Sequence, residues 1–250
     1  MERPVFGTLA SQLPRIGGLA TMPSRLESVR QALPNILPQV DRLYLYLDQY
    51  DHVPAEFTAH SKIVPLLRKE GERPMGTSGK LLGLKAVSSP CLYFCFDDDI
   101  LYPASYVDRL AAALHRHRYR VVVGVHARVF TPPIRSYIRD GRILNFKDGL
   151  TIDAVVDELG SGTIAFHSRC IALDPDRWAY LNILDLMLTI EAMRQDVPLV
   201  AVRRTRGFVQ AIAENQEDSL YREVLKDDVI QTALLQTTMA HYPGRWCLSD

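Results

Sequence analysis

The apolar positions change their period along the chain, and that period assigns the elements. Ile16 to Thr21 is an apolar run that contains Gly17 and Gly18, read as a buried first strand whose glycines allow close backbone approach. From Pro23 to Leu37 the spacing becomes helical, with Leu26, Val29, Leu33 and Ile36 on one face. Pro23 suits the first helical turn, and Pro34 predicts a kink or an early end. Strand patterns return at Arg42 to Asp48 and at Ile63 to Leu67, followed by a polar, glycine-containing loop over residues 69–79 and a short helix from Lys80 to Val87. Cys91 to Asp97 (CLYFCFD) is almost wholly apolar, the pattern of a central strand covered on both faces. Pro103 to His117 reads as a helix with Tyr106, Leu110, Ala113 and Leu114 inward, and Val121 to Val125 as a further strand.

The second half is less regular. Residues 130–160 read as a long, loop-rich stretch, Ser161 to Phe166 as a strand, and Asp185 to Arg194 as a helix with Leu186, Ile190 and Met193 inward. Leu199 to Arg203 is a short strand, residues 204–222 are polar, and Asp227 to His241 is helical. Alternating strands and helices predict an α/β fold with a mostly parallel central sheet flanked by helices. Ligands of such sheets bind beyond the carboxyl ends of the strands. Asp48 and Asp97 to Asp99 lie at such ends, and Met22 to Arg25 directly follow the first strand. These separated segments are expected to converge on one cleft.

Composition narrows the function. The 250 residues suit one domain, and 47% apolar with 23% charged residues is ordinary for a globular protein. Lys plus Arg and Asp plus Glu both total 29, so no global charge draws the protein to nucleic acid or to an anionic membrane, and any anion site must be local. Cys91 and Cys95 lie four strand positions apart, roughly 13 Å, too far for a disulfide. With Cys170 and Cys247 they are expected to be reduced thiols. The first residues, MERPVFGTLASQLPRIGG, hold no long apolar core, and no run approaches the roughly 18 apolar residues of a membrane span. The expected location is the cytoplasm, with docking at the inner face of a membrane left open.

The densest chemistry is Phe96-Asp97-Asp98-Asp99-Ile100. Three successive carboxylates at the end of a buried strand repel one another and call for a compensating cation. Mg²⁺ or Mn²⁺ suits, because it takes one or two carboxylates together with substrate phosphates. Extended backbone would turn Asp97 and Asp99 one way and Asp98 the other. The plain alternative is a solvated acidic turn ahead of the helix at Pro103.

The ordered set ATMPSR, YLDQYDHVP, GxxGK and FCFDDDILYP resembles bacterial family-2-like glycosyltransferases, which have a GT-A fold and often build capsule or lipopolysaccharide. The resemblance continues through VVVGVHARVF, ELGSGTIAFHSR, NILDLMLTIEAMRQDVPLV and DDVIQTALL, covering about residues 15–240. It implies one domain over residues 1–250, with a nucleotide-sugar half at 15–125 and an acceptor half at 126–250. It further implies that Thr21, Pro23 and Arg25 line the nucleotide pocket, that Asp48 holds base or ribose, and that Lys80 approaches the diphosphate. Asp97 and Asp99 would be metal ligands, Asp98 would lie beside them on the donor side, and Asp185 would be the general base of an inverting transfer. The implied donor is a nucleotide-sugar, with UDP preferred, the acceptor a glycan or a lipid-linked sugar, and the cofactor Mn²⁺ or Mg²⁺.

The chain departs from the family pattern at three places. Thr77 stands where Asp often follows the first glycine of GxxGK, Ala127 where Gly often follows the histidine, and Leu184-Asp185 replaces an acidic pair. GxxGK is not a phosphate-binding P-loop, because Pro74 occupies the position of its first glycine. His126 and His167 adjoin strands and are each as readily core residues as acceptor-side groups, and His241 suits a helix C-terminus. Arg203, Arg204 and Arg206 precede the polar run 213–218, an arrangement that suggests a lid closing over a diphosphate. Competing classes are a nucleotidyltransferase, a haloacid-dehalogenase-type phosphohydrolase and a non-catalytic nucleotide-sugar-binding domain.

Overall fold

A computed structural model describes residues 13–212 and 227–242. The run 213–218, most of the expected lid and Cys247 lie outside the described residues. The strands are β1 (Arg15–Thr21), β2 (Arg42–Leu47), β3 (Ile63–Leu67), β4 (Leu92–Phe96), β5 (Ile100–Leu101), β6 (Val122–Gly124), β7 (Ala127–Phe130), β8 (Gly141–Leu144), β9 (Ala154–Val156), β10 (Glu158–Leu159), β11 (Ile164–His167), β12 (Leu199–Ala201) and β13 (Gln210–Ala211). The helices are α1 (Leu26–Ile36), α2 (Ala55–Ala59), α3 (Gly83–Ala86), α4 (Tyr106–Arg116), α5 (Leu184–Arg194) and α6 (Val229–His241).

Eight strands form the main sheet, in the order β3-β2-β1-β4-β11-β6-β12-β9. β1 to β4 run parallel, β11 runs antiparallel between β4 and β6, β12 lies parallel to β6, and β9 closes the far edge antiparallel. A second sheet, β10-β7-β8, and the short β13-β5 pair complete the fold. Side-chain alternation along β4 explains its apolar sequence. Leu92, Phe94 and Phe96 join the core under α1 and α4, while Cys91, Tyr93 and Cys95 join the core under α5 and α6. A strand buried on both faces has no polar side to offer. Among the described residues no helix is long and apolar enough to cross a membrane.

Two local expectations are corrected. Pro34 does not end its helix, since α1 continues to Ile36 and passes into a 3-10 turn, Leu37–Gln39, matching the 3-10 turn Pro23–Arg25 that precedes it. The stretch 130–160 is more regular than its sequence suggests, holding β8, which pairs back on β7, together with β9 and β10.

The small sheet carries a buried polar pair with a measurable consequence. Glu158 is 5% exposed, accepts a hydrogen bond from the Tyr137 hydroxyl at 2.7 Å, and lies 3.9 Å from Arg128. Burial lifts its carboxyl to about 7 despite the pull of Arg128. An unfolded glutamate titrates near about 4.3, so below that pH both states hold the proton and the group contributes nothing. As pH rises toward 7 the unfolded chain loses its proton first, and the folded state pays a penalty on the order of 3 kcal/mol, complete above 7. Glu158→Gln is therefore expected to gain stability relative to wild type between pH 5 and pH 8. Melting both proteins across that range checks this, and a difference that stays flat with pH contradicts it.

Candidate active site

The site forms where β1, β4 and β6 end together. Gly18 makes it possible: a Cβ there would sit 1.9 Å from the Lys80 carbonyl oxygen, so only glycine lets the 3-10 turn Gly76–Leu81 lie against β1. The Tyr93 hydroxyl donates to that same carbonyl at 2.6 Å. The pair fixes Lys80, whose side chain is 3% exposed and ends on the Asp97 carboxylate. Burial pulls the ammonium toward neutrality, but the adjoining Asp97 charge and hydrogen bond outweigh it and raise its pKa. Lys80 is thus a buried counter-charge beneath Asp97 rather than a free surface cation.

Asp97 to Asp99 follow β4 as a turn, so strict alternation of their side chains is lost. Asp98 is the buried member. Its carboxylate accepts from the Thr21 hydroxyl at 2.7 Å and from Arg25 at 3.4 Å. Burial drives its carboxyl up to about 6, against the opposing effects of Thr21 and Arg25. Arg25 also bonds Asp99 at 3.0 Å. Burial and then repulsion from Asp97 raise the Asp99 carboxyl, partly offset by Arg25. Asp97 and Asp99 remain about one-third exposed, whereas Asp98 is 8% exposed.

The turn Gly160-Ser161-Gly162-Thr163 links this cluster to the other half of the chain. A Cβ on Gly162 would lie 1.7 Å from Asp97 Oδ2, so the backbone itself packs against the carboxylate. The Tyr102 hydroxyl donates to the Gly162 carbonyl at 2.6 Å and accepts from the Asp97 amide at 2.7 Å, tying turn and strand end together. One residue earlier, the Ser161 amide donates to Asp185 Oδ1 at 2.8 Å. Asp185 sits in the first turn of α5, whose Leu186 and Leu188 are fully buried. The cleft therefore collects Thr21, Arg25, Lys80, Asp97, Asp98, Asp99 and Asp185 from segments up to 164 positions apart.

Two sequence-selected residues lie at its margin. Asp48 follows β2 and donates its amide to the Thr21 carbonyl at 2.8 Å, while Pro23 is exposed at the start of its turn. Others are placed elsewhere. His167 ends β11, which runs antiparallel, so it sits level with Leu92 at the opposite end of the sheet, beside Tyr119. His241 contacts the Thr237 carbonyl on an exposed helix end. Arg204 is buried and spends its guanidinium on the carbonyls of Leu144, Asn145 and Val202, so it clamps a loop. Tyr102 and the Gly160–Thr163 turn fall inside FCFDDDILYP and ELGSGTIAFHSR, but the sequence assigns them no role. The apolar-looking ILYP after the carboxylates gives no sign that the tyrosine hydroxyl bridges two segments.

No protein-family model and no curated protein matches the sequence. The fold does match solved structures. One is the crystal structure of GalNAc-T7 with UDP, GalNAc and Mn²⁺, at a TM-score of 0.60 and 8% identity, over 93% of this chain and 55% of that one. The chain spans about half the length of that structure. At this identity the likeness carries the architecture, and the architecture is the GT-A fold, an α/β fold with a mostly parallel sheet.

Proposed function

We propose that this protein is a glycosyltransferase that moves a sugar from a nucleotide-sugar donor to a hydroxyl acceptor. The observation that carries the reading is the carboxylate turn Asp97-Asp98-Asp99, braced by Lys80 and Arg25 and facing Asp185 across one short turn. The fold supports it, since GalNAc-T7 shares the architecture and was crystallised with UDP, GalNAc and Mn²⁺.

The donor set suits a divalent cation. Among the described residues no three His, Cys, Asp or Glu side chains form a complete metal cage. Asp97 and Asp99, the two partly open carboxylates, are the kind of partial set Mg²⁺ or Mn²⁺ takes when phosphates and water supply the rest. A bound cation there would neutralise a diphosphate leaving group. Lys80 orients Asp97 from below, and Asp98 locks Arg25 and Thr21 at the end of β1. Thr21, Pro23, Arg25 and Asp48 border the nucleotide. Asp185, held by the Ser161 amide, takes the proton of the acceptor hydroxyl as its oxygen attacks the anomeric carbon. Residues 15–125 hold the donor's nucleotide and diphosphate and residues 126–250 the acceptor, with the transferred sugar where the two halves meet. The sequence resemblance favours a UDP-sugar donor, a glycan or lipid-linked acceptor, and a role in bacterial surface-polysaccharide synthesis.

A thermal-shift screen of nucleoside diphosphates with and without Mn²⁺ tests the reading. Ligands that bind only the folded state stabilise it by about 2.7 kcal/mol at 100 times their dissociation constant. UDP or GDP with Mn²⁺ is expected to raise the melting temperature beyond nucleotide alone. Equal shifts with and without metal would count against the cation assignment.

A further inference from the structure

We propose that His126 is a sugar-recognition residue, whose imidazole hydrogen-bonds a hydroxyl of the transferred sugar and makes the site discriminate between sugar epimers. The inference rests on the glycosyl-transfer reading and adds the group that reads the donor's sugar.

Strand register places the residue. Ala165 of β11 pairs with Phe94 on one side and with Val123 on the other, so His126, three positions past Val123, is level with Asp97, three past Phe94. Two strand spacings separate the chains at that level, roughly 10 Å, which is room for a pyranose ring. The Gly160–Thr163 turn forms the floor between them. It holds the His126 backbone from both sides: the His126 amide donates to Thr163 Oγ1 at 2.9 Å, and the His126 carbonyl accepts from the Gly160 amide at 2.9 Å. A Cβ on Gly160 would lie 2.9 Å from His126 Cδ2, so the ring rests on bare backbone. Phe146 lies against it, with ring centroids 5.8 Å apart.

This ring lacks what an ordinary core histidine has. Its Nδ1 is sealed from solvent and has no hydrogen-bond partner among the described residues. A buried polar group left unpaired is costly, and His126 as a whole is half-buried rather than closed off, so a ligand entering the cleft can complete it once the ring turns toward it. Burial pushes the imidazole's pKa below its ordinary value, with the Arg128 and Arg204 charges acting the same way and Asp185 and Asp97 opposing them. A neutral imidazole offers one donor and one acceptor, and no partner of Nδ1 in the described protein fixes which nitrogen carries the proton. A sugar hydroxyl, which both donates and accepts, matches either tautomer. The diphosphate would be met by a cation held at Asp97 and Asp99, with Arg25 beside them; an imidazole on the Asp185 side suits the sugar instead. Sites that hydrogen-bond a substrate hydroxyl reject analogues lacking it far more strongly than apolar pockets do.

The test is titration of the whole protein, in Mn²⁺, with UDP, GDP, UDP-glucose, UDP-galactose, UDP-GlcNAc and UDP-GalNAc. Wild type is expected to prefer one member of an epimeric pair by about tenfold or more. His126→Phe keeps the ring's size against Phe146 and removes its nitrogens. It is expected to bring that ratio close to one while UDP affinity stays within about twofold. His126→Gln keeps a donor and an acceptor and is expected to move the ratio only partway; it carries the test alone should the Phe variant not fold. A wild type indifferent to the epimers, or a ratio unchanged in the variants, overturns the inference and leaves the glycosyl-transfer reading standing. A wild type that binds neither UDP nor GDP overturns that reading and this inference with it.

Discussion

Asp99→Ala is expected to abolish turnover while leaving the fold intact. The Asp99 carboxylate is about one-third exposed, and Arg25, which bonds it, keeps Asp98 as a partner when Asp99 is gone. The Asp99 backbone carbonyl, which accepts from the Ile212 amide at 2.7 Å, is untouched by the substitution. Folding therefore loses little. The reaction loses much more, because removing a single preorganised charge-stabilising group commonly costs 10²–10³-fold and a lost cation removes several such contacts at once. The check pairs a melting curve with the transfer rate at saturating donor and Mn²⁺. A folded variant that keeps the wild-type rate in excess EDTA would show that neither Asp99 nor a metal takes part.

Asp185→Asn is expected to lower the transfer rate about 10²–10⁴-fold with donor affinity nearly unchanged. The near-isosteric amide keeps an oxygen to accept the Ser161 amide, so the turn that joins the two halves of the cleft stays in place. What the substitution removes is the charge proposed to take the acceptor's proton. Positioning is what α5 contributes: Leu186 and Leu188, fully buried, leave the carboxylate little freedom at the cleft edge. Donor affinity by titration and rate with the true acceptor separate the roles. A variant within about threefold of wild-type rate removes Asp185 from the chemistry, and loss of donor binding reassigns it to the nucleotide or metal. A product of retained anomeric configuration leaves a general base with no reaction to serve.

The first half of the fold was legible because its strands are buried on both faces and its helices on one. β3 begins and ends where the apolar run does, and β1, β2 and β4 differ from expectation by one or two residues at their ends. Convergence of Thr21, Arg25 and Asp97 to Asp99 followed from parallel topology alone, since parallel strands deliver their carboxyl ends to one edge. The rest depended on information with no local signature. Nothing in the polar residues before Lys80 shows that its side chain is buried. Its burial comes from Gly18, 62 positions earlier, which lets the turn carrying it close onto β1. His126 and His167 looked alike in sequence, each beside a strand. The reversed direction of β11 separates them, sending His167 to the far end of the sheet and leaving His126 over the cleft. The segment 130–160 reads as loop because no residue of β8 is buried and β9 and β10 are only three and two residues long, too short to show a period.

The most direct test of the central claim is product analysis with a panel of nucleotide-sugars in Mn²⁺. Glycosyl transfer predicts metal-dependent release of nucleoside diphosphate, with the sugar appearing on an acceptor or on water. Release of inorganic phosphate would mark a phosphohydrolase, release of pyrophosphate a nucleotidyltransferase, and binding without turnover a non-catalytic domain; any of these three results contradicts the account.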